Sequence, residues 1–139
     1  MTQVTAYTNE GRYKCLEDLP IDSAELSLGY CGWEQCYPGH RFGPNKRASY
    51  ALHIIANGKG KLEKNGEVFH LTTGDAFLLC PEEEAWYEAD KKEPWTYAWI
   101  GLYGYKVKKI MQYAGFSKEK SVRSLKCTAL LKSYVDEIL

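Results

Sequence analysis

The chain has 139 residues, of which 45% are hydrophobic and 26% are charged. This length and composition predict one globular domain. Lys plus Arg equals Asp plus Glu at 18 each, which argues against a chain that holds DNA or RNA by itself, because phosphate contacts usually require a basic excess. No apolar run reaches the about 20 residues that span a bilayer, and the first residues lack the apolar stretch of a signal peptide. We therefore expect a cytoplasmic protein with no membrane partner.

The five cysteines are far apart in the sequence, and no Cys-x-x-Cys pair occurs. Zinc sites and disulfide frameworks usually show closer spacing, so reduced thiols are expected. Cys31 and Cys36 are interpreted as thiols that pack between strands. Aromatic residues reach 14%, and aromatic side chains are the ones that line small-molecule pockets.

The first 24 residues are mixed and polar, and Pro20 and Asp22 interrupt them. They show little regular pattern, so residues 1–24 are predicted to form an arm that lies on the main body or folds over it. A strand-like segment follows at 25–36. Residues 37–46 are predicted to be a loop, because Pro-Gly and Gly-Pro pairs occur within them.

Regular strand signals begin at Arg47, where short apolar or alternating segments are separated by turn residues. Asn65-Gly66 is the strongest hairpin turn in the chain, and Pro81 ends a short buried strand. Many short strands at near-regular spacing predict a mostly β fold, a sandwich or barrel, over residues 25–104. The predicted strands are 49–56, 59–64, 67–71, 76–80, 85–89 and 95–103.

The pattern changes to a helical period over 105–116, and Gly115 is suited to end that helix. The apolar residues at spacing i, i+3, i+4 and i+7 are Val107, Ile110, Met111 and Ala114.

A second helix is predicted from about Ser124 to the end of the sequence. Because the sequence stops on two apolar residues within this helix, we expect a domain cut from a longer protein or a helix that finishes against a partner. We interpret residues 105–139 as dimerisation helices, with one apolar stripe as the contact surface. That stripe is Cys127, Leu131, Tyr134 and Ile138.

Residues 74–87 run from a Gly-Asp turn through a short buried strand and a proline to the next strand. This order resembles the second sequence motif of the cupin superfamily. In metal-dependent cupins a histidine follows the proline and a His-x-His pair with a glutamate lies on an earlier strand, because a divalent ion needs ligands that converge inside the barrel. Here Ala85 takes the place of that histidine, and His53 stands alone on the earlier strand. The sequence therefore predicts the barrel without a metal site or other cofactor.

Aromatic residues alternate along the last predicted strand. Period two places five residues on one face of it, namely Trp95, Tyr97, Trp99, Gly101 and Tyr103. Two interpretations stay open. Either this face packs into the core, or it stacks on a sugar, since an indole presents a flat, electron-rich surface and phenol hydroxyls bond ring hydroxyls.

A longer series of motifs extends over residues 28–118. In chain order, its pieces are Arg47, LHII, GKG, G-E-x-F-x-L-x-x-G-D, Pro81, YEAD, PW-x-Y-x-W-I-G and AGF. This series resembles the N-terminal sensor domain of AraC-type transcriptional regulators, in the branch that controls the uptake and breakdown of sugars.

The resemblance implies a cupin-like β-barrel, or jelly roll, that binds an effector and is followed by two C-terminal α-helices that form a homodimer. DNA would be bound only through helix-turn-helix units that are absent from this chain. The ligand-binding residues that it implies are Trp99 as the stacking indole, Tyr97, Tyr87, and Arg41 or Arg47 as a basic residue near the barrel mouth.

Further expectations concern the pocket and its control. His53 is either a core histidine or a donor to the ligand. Glutamates 82–84 are predicted to form a solvated loop at the barrel mouth, where they would repel anions and favour a neutral sugar or glycoside. The arm is predicted to change its docking when the effector binds.

Two alternatives differ in class from this effector-sensing, non-enzymatic domain. One is a small metal-dependent cupin enzyme, an isomerase or dioxygenase, which would need a metal centre. The other is a module that only oligomerises, in which the barrel is filled by its own side chains.

Overall fold

The structure, a computed structural model, describes residues 6–125 and 128–139. The described strands are β1 Ala6–Glu10, β2 Tyr13–Glu17, β3 Ser27–Gln35, β4 Arg41–Asn45, β5 Tyr50–Asn57, β6 Lys59–Lys64, β7 Glu67–Thr72, β8 Asp75–Leu79, β9 Ala85–Ala89, β10 Thr96–Tyr103 and β11 Val122–Ser124. The described helices are α1 Val107–Tyr113 and α2 Thr128–Ile138.

The strands form two antiparallel sheets. The large sheet has the order β1-β2-β3-β10-β5-β8-β11, and the small sheet has the order β4-β9-β6-β7. The β6–β7 hairpin turns at Asn65 and Gly66, whose φ angles of 54° and 77° are both positive, as a two-residue hairpin turn requires. The predicted hairpin is thus confirmed.

Alternation along the strands separates two cores. Side chains from both sheets, among them Leu62, Phe77, Tyr87 and Tyr97, pack together between the sheets. The opposite face of the large sheet packs against the helices, as the joint burial of residues such as Ile54, Val107, Met111 and Val135 shows. The predicted mostly β barrel with two C-terminal helices is confirmed.

Residues 6–17, within the segment predicted as an arm, form a β-hairpin. β2 pairs with β3 from Tyr13 opposite Glu34 to Leu16 opposite Cys31, so the hairpin extends the large sheet at its edge. The mixed, polar sequence conceals these strands because an edge hairpin need not bury a continuous apolar face.

Two local expectations are wrong. The loop predicted over 37–46 contains a strand, Arg41–Asn45. It is the edge of the small sheet, and its register shifts between Phe42 and Asn45, which is where a sheet tolerates Gly43-Pro44. The region around Ser124 begins no helix, because residues 122–124 pair with β8 and α2 begins at Thr128.

The glutamate loop is also corrected, because Glu83 is buried. Lys64 Nζ lies 2.9 Å from Glu83 Oε2, and both side chains are 4% exposed. Lys64 also donates to the Lys118 carbonyl at 2.9 Å and to Ser121 Oγ, while the Cys80 amide donates to Glu83 Oε1 at 2.8 Å. The loop is therefore fastened to β6 and to the segment before β11, although its neighbours at 82 and 84 are exposed.

Candidate functional site

A cavity of about 250 Å³ opens between the two sheets. Its wall is mostly aromatic, with seven rings contributed by Tyr13, Tyr30, Phe42, Tyr87, Tyr97, Trp99 and Tyr103. The four titratable side chains that complete the lining are Glu17, Asp18, Arg47 and His53. β10 supplies three of the rings from the face predicted by period two, so that face borders both the core and the cavity.

Trp99 presents its indole between a ring of its own strand and a ring of the hairpin. Its centroid lies 5.2 Å from that of Tyr97 and 6.1 Å from that of Tyr13. The side chain is only partly buried. An indole in this position has the flat surface that stacking on a pyranose requires.

Glycines on the neighbouring strands make room for these rings. Trp99 is the direct cross-strand partner of Gly32, and Tyr30 is the partner of Gly101. A Cβ at Gly32 would lie 2.5 Å from Trp99 Cζ2, and a Cβ at Gly101 would meet the Tyr30 ring. The positions of the two rings at the cavity wall thus depend on the absence of side chains across the ladder.

Arg47 enters the cavity from the connection between β4 and β5. Its guanidinium interacts with Tyr87 and Tyr30, with Cζ 5.8 Å from the Tyr30 ring centroid. The Tyr30 hydroxyl is in turn 2.8 Å from Ser49 Oγ. These contacts hold one cation at the wall among phenol groups.

Tyr87 and Tyr97 are neutral phenols. Burial raises the pKa of Tyr87, and the nearby Arg47 opposes that rise. Burial also raises the pKa of Tyr97 well above its ordinary value, and Tyr87 adds to the effect. A neutral phenol both donates and accepts a hydrogen bond, which suits a ligand rich in hydroxyl groups.

His53 lies on β5, stacked on Phe77 with 4.4 Å between ring centroids. Tyr87 and Tyr97 lie 5.0 and 5.7 Å away. Burial, aided by Arg47, lowers the pKa of His53 to about 3, so the imidazole is uncharged near neutral pH. His53 is thus both a buried residue stacked on Phe77 and part of the cavity lining, so both interpretations of it keep support.

The structure separates the two arginines that the sequence offered for the barrel mouth. Arg41 lies outside the cavity lining, with Nε 3.3 Å from Glu88 Oε1 and Cζ 3.8 Å from the Trp86 ring centroid. Of the predicted ligand-binding residues, the cavity brings together Trp99, Tyr97, Tyr87, Arg47 and His53 and leaves Arg41 out.

Sequence reasoning missed the residues that the hairpin contributes. Tyr13, Glu17 and Asp18 reach the cavity only because β2 pairs with β3, and no local pattern announces that pairing. The sequence gives only a weak indication that Tyr30 lines a cavity. Glycines on both sides of it in a strand-like segment leave space next to its ring.

No three or more His, Cys, Asp or Glu side chains cluster as a metal site within residues 6–125 and 128–139. Ala85 is buried at the position where the cupin motif expects histidine. Over the same described residues, no helix has the length and apolarity needed to cross a membrane.

The predicted dimerisation stripe is described in part. Cys127 lies outside the described residues, and for Leu131 only its place in α2 is described. Tyr134 and Ile138 are 51% and 47% exposed, whereas Val135 is buried against the large sheet. These two stripe residues are thus half exposed and border an apolar groove between α2 and the large sheet.

Sequence comparison finds relatives that are named as regulators of operons. The chain is 39% identical over 101 residues to the Msm operon regulatory protein of Streptococcus mutans, covering 73% of this chain and 36% of that protein. It is 38% identical over 94 residues to the raffinose operon transcriptional regulatory protein of Pediococcus pentosaceus, covering 66% and 33%. The lactose operon transcription activator of Staphylococcus xylosus is 36% identical over 89 residues, covering 64% and 31%. The chain therefore spans about a third of the length of these relatives.

Solved structures show the same fold at low identity. A cupin protein from Bacteroides fragilis has a TM-score of 0.57 at 16% identity, covering 77% of this chain and 90% of that one. The protein YhaK from Escherichia coli has a TM-score of 0.57 at 17% identity, covering 91% and 51%. The cupin-like fold is thereby confirmed. The family model described as the AraC-like ligand binding domain matches residues 27–136, and the chain belongs to that family.

Proposed function

We propose that this chain is the effector-sensing part of a transcriptional regulator of a sugar operon, and that its effector is a neutral sugar or glycoside. The effector binds between the sheets, and DNA is bound by a part of the regulator outside this chain. A homodimer formed through α2 links the two activities. Such a regulator works in the cytoplasm, where it has access to the DNA.

One observation carries the proposal, the aromatic cavity with Trp99 at its wall. Trp99 stacks on one face of the sugar ring. Tyr97 and Tyr87 exchange hydrogen bonds with ring hydroxyls, and Arg47 donates to them. The same cavity argues against a barrel that only oligomerises, because a barrel filled by its own side chains would leave no room there.

The hairpin supplies the coupling to the rest of the regulator. Tyr13, Glu17 and Asp18 line the cavity, so an effector contacts the hairpin as well as the barrel. A ligand shifts a conformational equilibrium only by its difference in affinity for the two states. The effector therefore favours the docked hairpin over any state in which the hairpin has left the sheet.

An enzymatic function has less support. The relatives are named as regulators, and the described residues contain no cluster of metal-ligating side chains. Elemental analysis is the direct check, since stoichiometric iron, manganese or zinc in the purified protein would favour a metal-dependent cupin enzyme instead.

Calorimetric titration with a panel of monosaccharides and oligosaccharides tests the proposal. We expect at least one sugar to bind wild type, and Trp99→Ala to weaken that binding by about tenfold or more, because a stacked aromatic ring is worth about 0.5–1.5 kcal/mol beyond its buried area. Trp99→Phe should keep part of the affinity, since it retains a flat ring.

Trp86→Ala is the matched control. It removes an indole from β9 that packs under Arg41, outside the cavity lining, so its sugar affinity should equal that of wild type. Circular dichroism confirms that each variant is folded. An unchanged affinity in folded Trp99→Ala would contradict the stacking role, and the failure of every sugar to bind wild type would contradict the function.

A further inference from the structure

The cavity wall carries an unequal set of charges. Among the described lining residues, Arg47 is the single cation, and Glu17 and Asp18 are two carboxylates. The carboxylates follow one another at the end of β2 and are exposed, so they lie at the mouth of the cavity. Asp18 has a φ angle of 54°, a left-handed conformation that turns the chain away from the strand.

Arg47 is the one cation in the described lining that could attract an anionic ligand. Arg47 is partly buried, and its guanidinium already interacts with Tyr87 and Tyr30. An anion would reach it only after it had passed two carboxylates at the mouth, and the lining as described carries two negative charges against one positive charge. Charges of one sign around a cleft repel ligands of the same sign.

Carboxylates at this place have a positive role for an uncharged sugar. Each ionised carboxylate has two oxygens that accept hydrogen bonds, and hydrogen bonds to an ionised acceptor are about twice as strong as neutral ones. Two neighbouring hydroxyls on a pyranose ring can both donate to one carboxylate, so Glu17 and Asp18 are suited to hold a diol.

The size of the cavity limits how much of a ligand it encloses. Its volume of about 250 Å³ lies below the range of about 300–1,000 Å³ found for pockets that bury drug-sized molecules. A trisaccharide exceeds this space. One sugar ring stacked on Trp99 fills the cavity, and further rings must leave through the mouth beside Glu17 and Asp18.

We propose that the cavity encloses one unphosphorylated, uncharged pyranosyl ring, either a free hexose or the terminal unit of a glycoside, and that Glu17 and Asp18 set this specificity by binding the ring hydroxyls and rejecting anionic sugars. This inference rests on the proposed function, since it names the form of sugar that the sensor accepts. Sugar phosphates and uronates are therefore not effectors.

Paired ligands test the inference by calorimetry on the chain as it exists. The neutral probes are galactose, glucose, methyl α- and β-galactopyranoside, lactose and raffinose, and the anionic probes are galactose 6-phosphate and glucose 6-phosphate. We expect the best neutral hexose to bind at least tenfold more tightly than its own 6-phosphate. An oligosaccharide that ends in the preferred ring should bind within about tenfold of the corresponding methyl glycoside, because its other rings lie outside.

A double variant, Glu17→Gln with Asp18→Asn, separates charge from shape. It should reduce the ratio of neutral to phosphorylated affinity by about tenfold or more, mainly by strengthening the binding of the phosphate. The matched control is Glu67→Gln with Glu84→Gln, which removes two exposed carboxylates outside the cavity lining. The control should keep the wild-type ratio at the same ionic strength.

The outcomes distinguish this inference from the proposed function. If a 6-phosphate binds wild type as tightly as the neutral hexose, or if the double variant keeps the wild-type ratio, the inference is overturned while sugar sensing stands. If an oligosaccharide binds more than about tenfold better than its terminal methyl glycoside, the single-ring limit is overturned. If no probe of either kind binds, both the inference and the proposed function fall.

Discussion

His53 is a titratable residue held where its charged form is unstable. It is fully surrounded by aromatic rings and protein, and its pKa falls to about 3 through burial and the field of Arg47. In the unfolded chain a histidine titrates near its ordinary pKa of about 6.5. Below that pH the unfolded state binds a proton that the folded state does not bind, so folding stability must fall as pH falls.

This difference gives a measurable slope. Between about pH 6.5 and pH 3, His53 should reduce the free energy of unfolding by about 1.4 kcal/mol for each unit that the pH is lowered. Urea unfolding of wild type and His53→Phe at pH 7 and pH 4.5 checks it, and the loss on acidification should be about 2–3 kcal/mol smaller in the variant.

His70→Phe provides the comparison for this measurement, because His70 is exposed on β7. Its acid dependence should match that of wild type. Equal pH slopes for His53→Phe and wild type would mean that the imidazole is already charged in the folded protein, contrary to its buried position.

At the residue scale, site residues that depend on a local pattern could be predicted from sequence, and those that depend on pairing between distant strands could not. Trp99 and Tyr97 were accessible from sequence because period two on one strand defines a face. Distinguishing Arg47 from Arg41 required the pairing of β4 with β9, which places Arg41 opposite Glu88 and outside the cavity. Sequence alone left both arginines open for that reason.

At the scale of elements, the buried Lys64–Glu83 pair lies at the end of the β6–β9 ladder and ties the segment at Lys118 to it. β6 holds the lysine, the loop before β9 holds the glutamate, and the carbonyl of Lys118 completes the contacts. Removing one partner of a buried ion pair leaves an uncompensated charge, which costs about 3–5 kcal/mol.

We therefore expect Lys64→Met to lower the free energy of unfolding by about 3–5 kcal/mol, because Glu83 stays buried without its cation. Adding Glu83→Gln to this variant should restore part of the loss. Urea denaturation at pH 7 measures all of these quantities.

Lys59→Met is the matched exposed substitution. Lys59 and Glu93 form an ion pair of 2.7 Å whose side chains are 54% and 62% exposed, and exposed pairs contribute little to stability. If Lys64→Met and Lys59→Met unfold at the same urea concentration, the Lys64–Glu83 contact does not stabilise the fold as argued.

The strands that were predicted well share a local cause. The ends of β5 to β10 lie within one residue of the predicted ends. They were predictable because Asn, Gly, Asp and Pro residues mark the turns between these strands. β2 and β11 were not predicted, because no short turn connects them to the strands that they pair with, β3 and β8. Non-local pairing at the edges of a sheet supplies those strands.

At the scale of the whole molecule, α2 presents apolar side chains that the described barrel covers only in part. Tyr134 and Ile138 are about half exposed while Val135 anchors the helix on the large sheet. Both residues border an apolar groove between α2 and the large sheet, and a half-exposed apolar edge of this kind is suited to pack against a second helix. We propose that this side of α2 is the homodimer contact.

Light scattering tests this proposal over a range of concentrations. Wild type should have the scattering mass of a dimer, and Ile138→Glu should shift it toward the monomer by placing a charge in the apolar contact. Ile110→Glu is the control, because Ile110 is 40% exposed on α1 and the same charge there should leave the dimer intact. Only monomer at every concentration of wild type would contradict the proposal.

Aromatic rings lie opposite glycines across the β3–β10 ladder. This arrangement has a consequence for the evolution of the family. Since Trp99 occupies the space over Gly32, and Tyr30 the space over Gly101, neither member of a pair can change size alone without a clash or a void. Relatives that accept ligands of another shape should therefore have altered both members of a pair in the same lineage. An alignment of the family would show this as covariation between directly opposed positions.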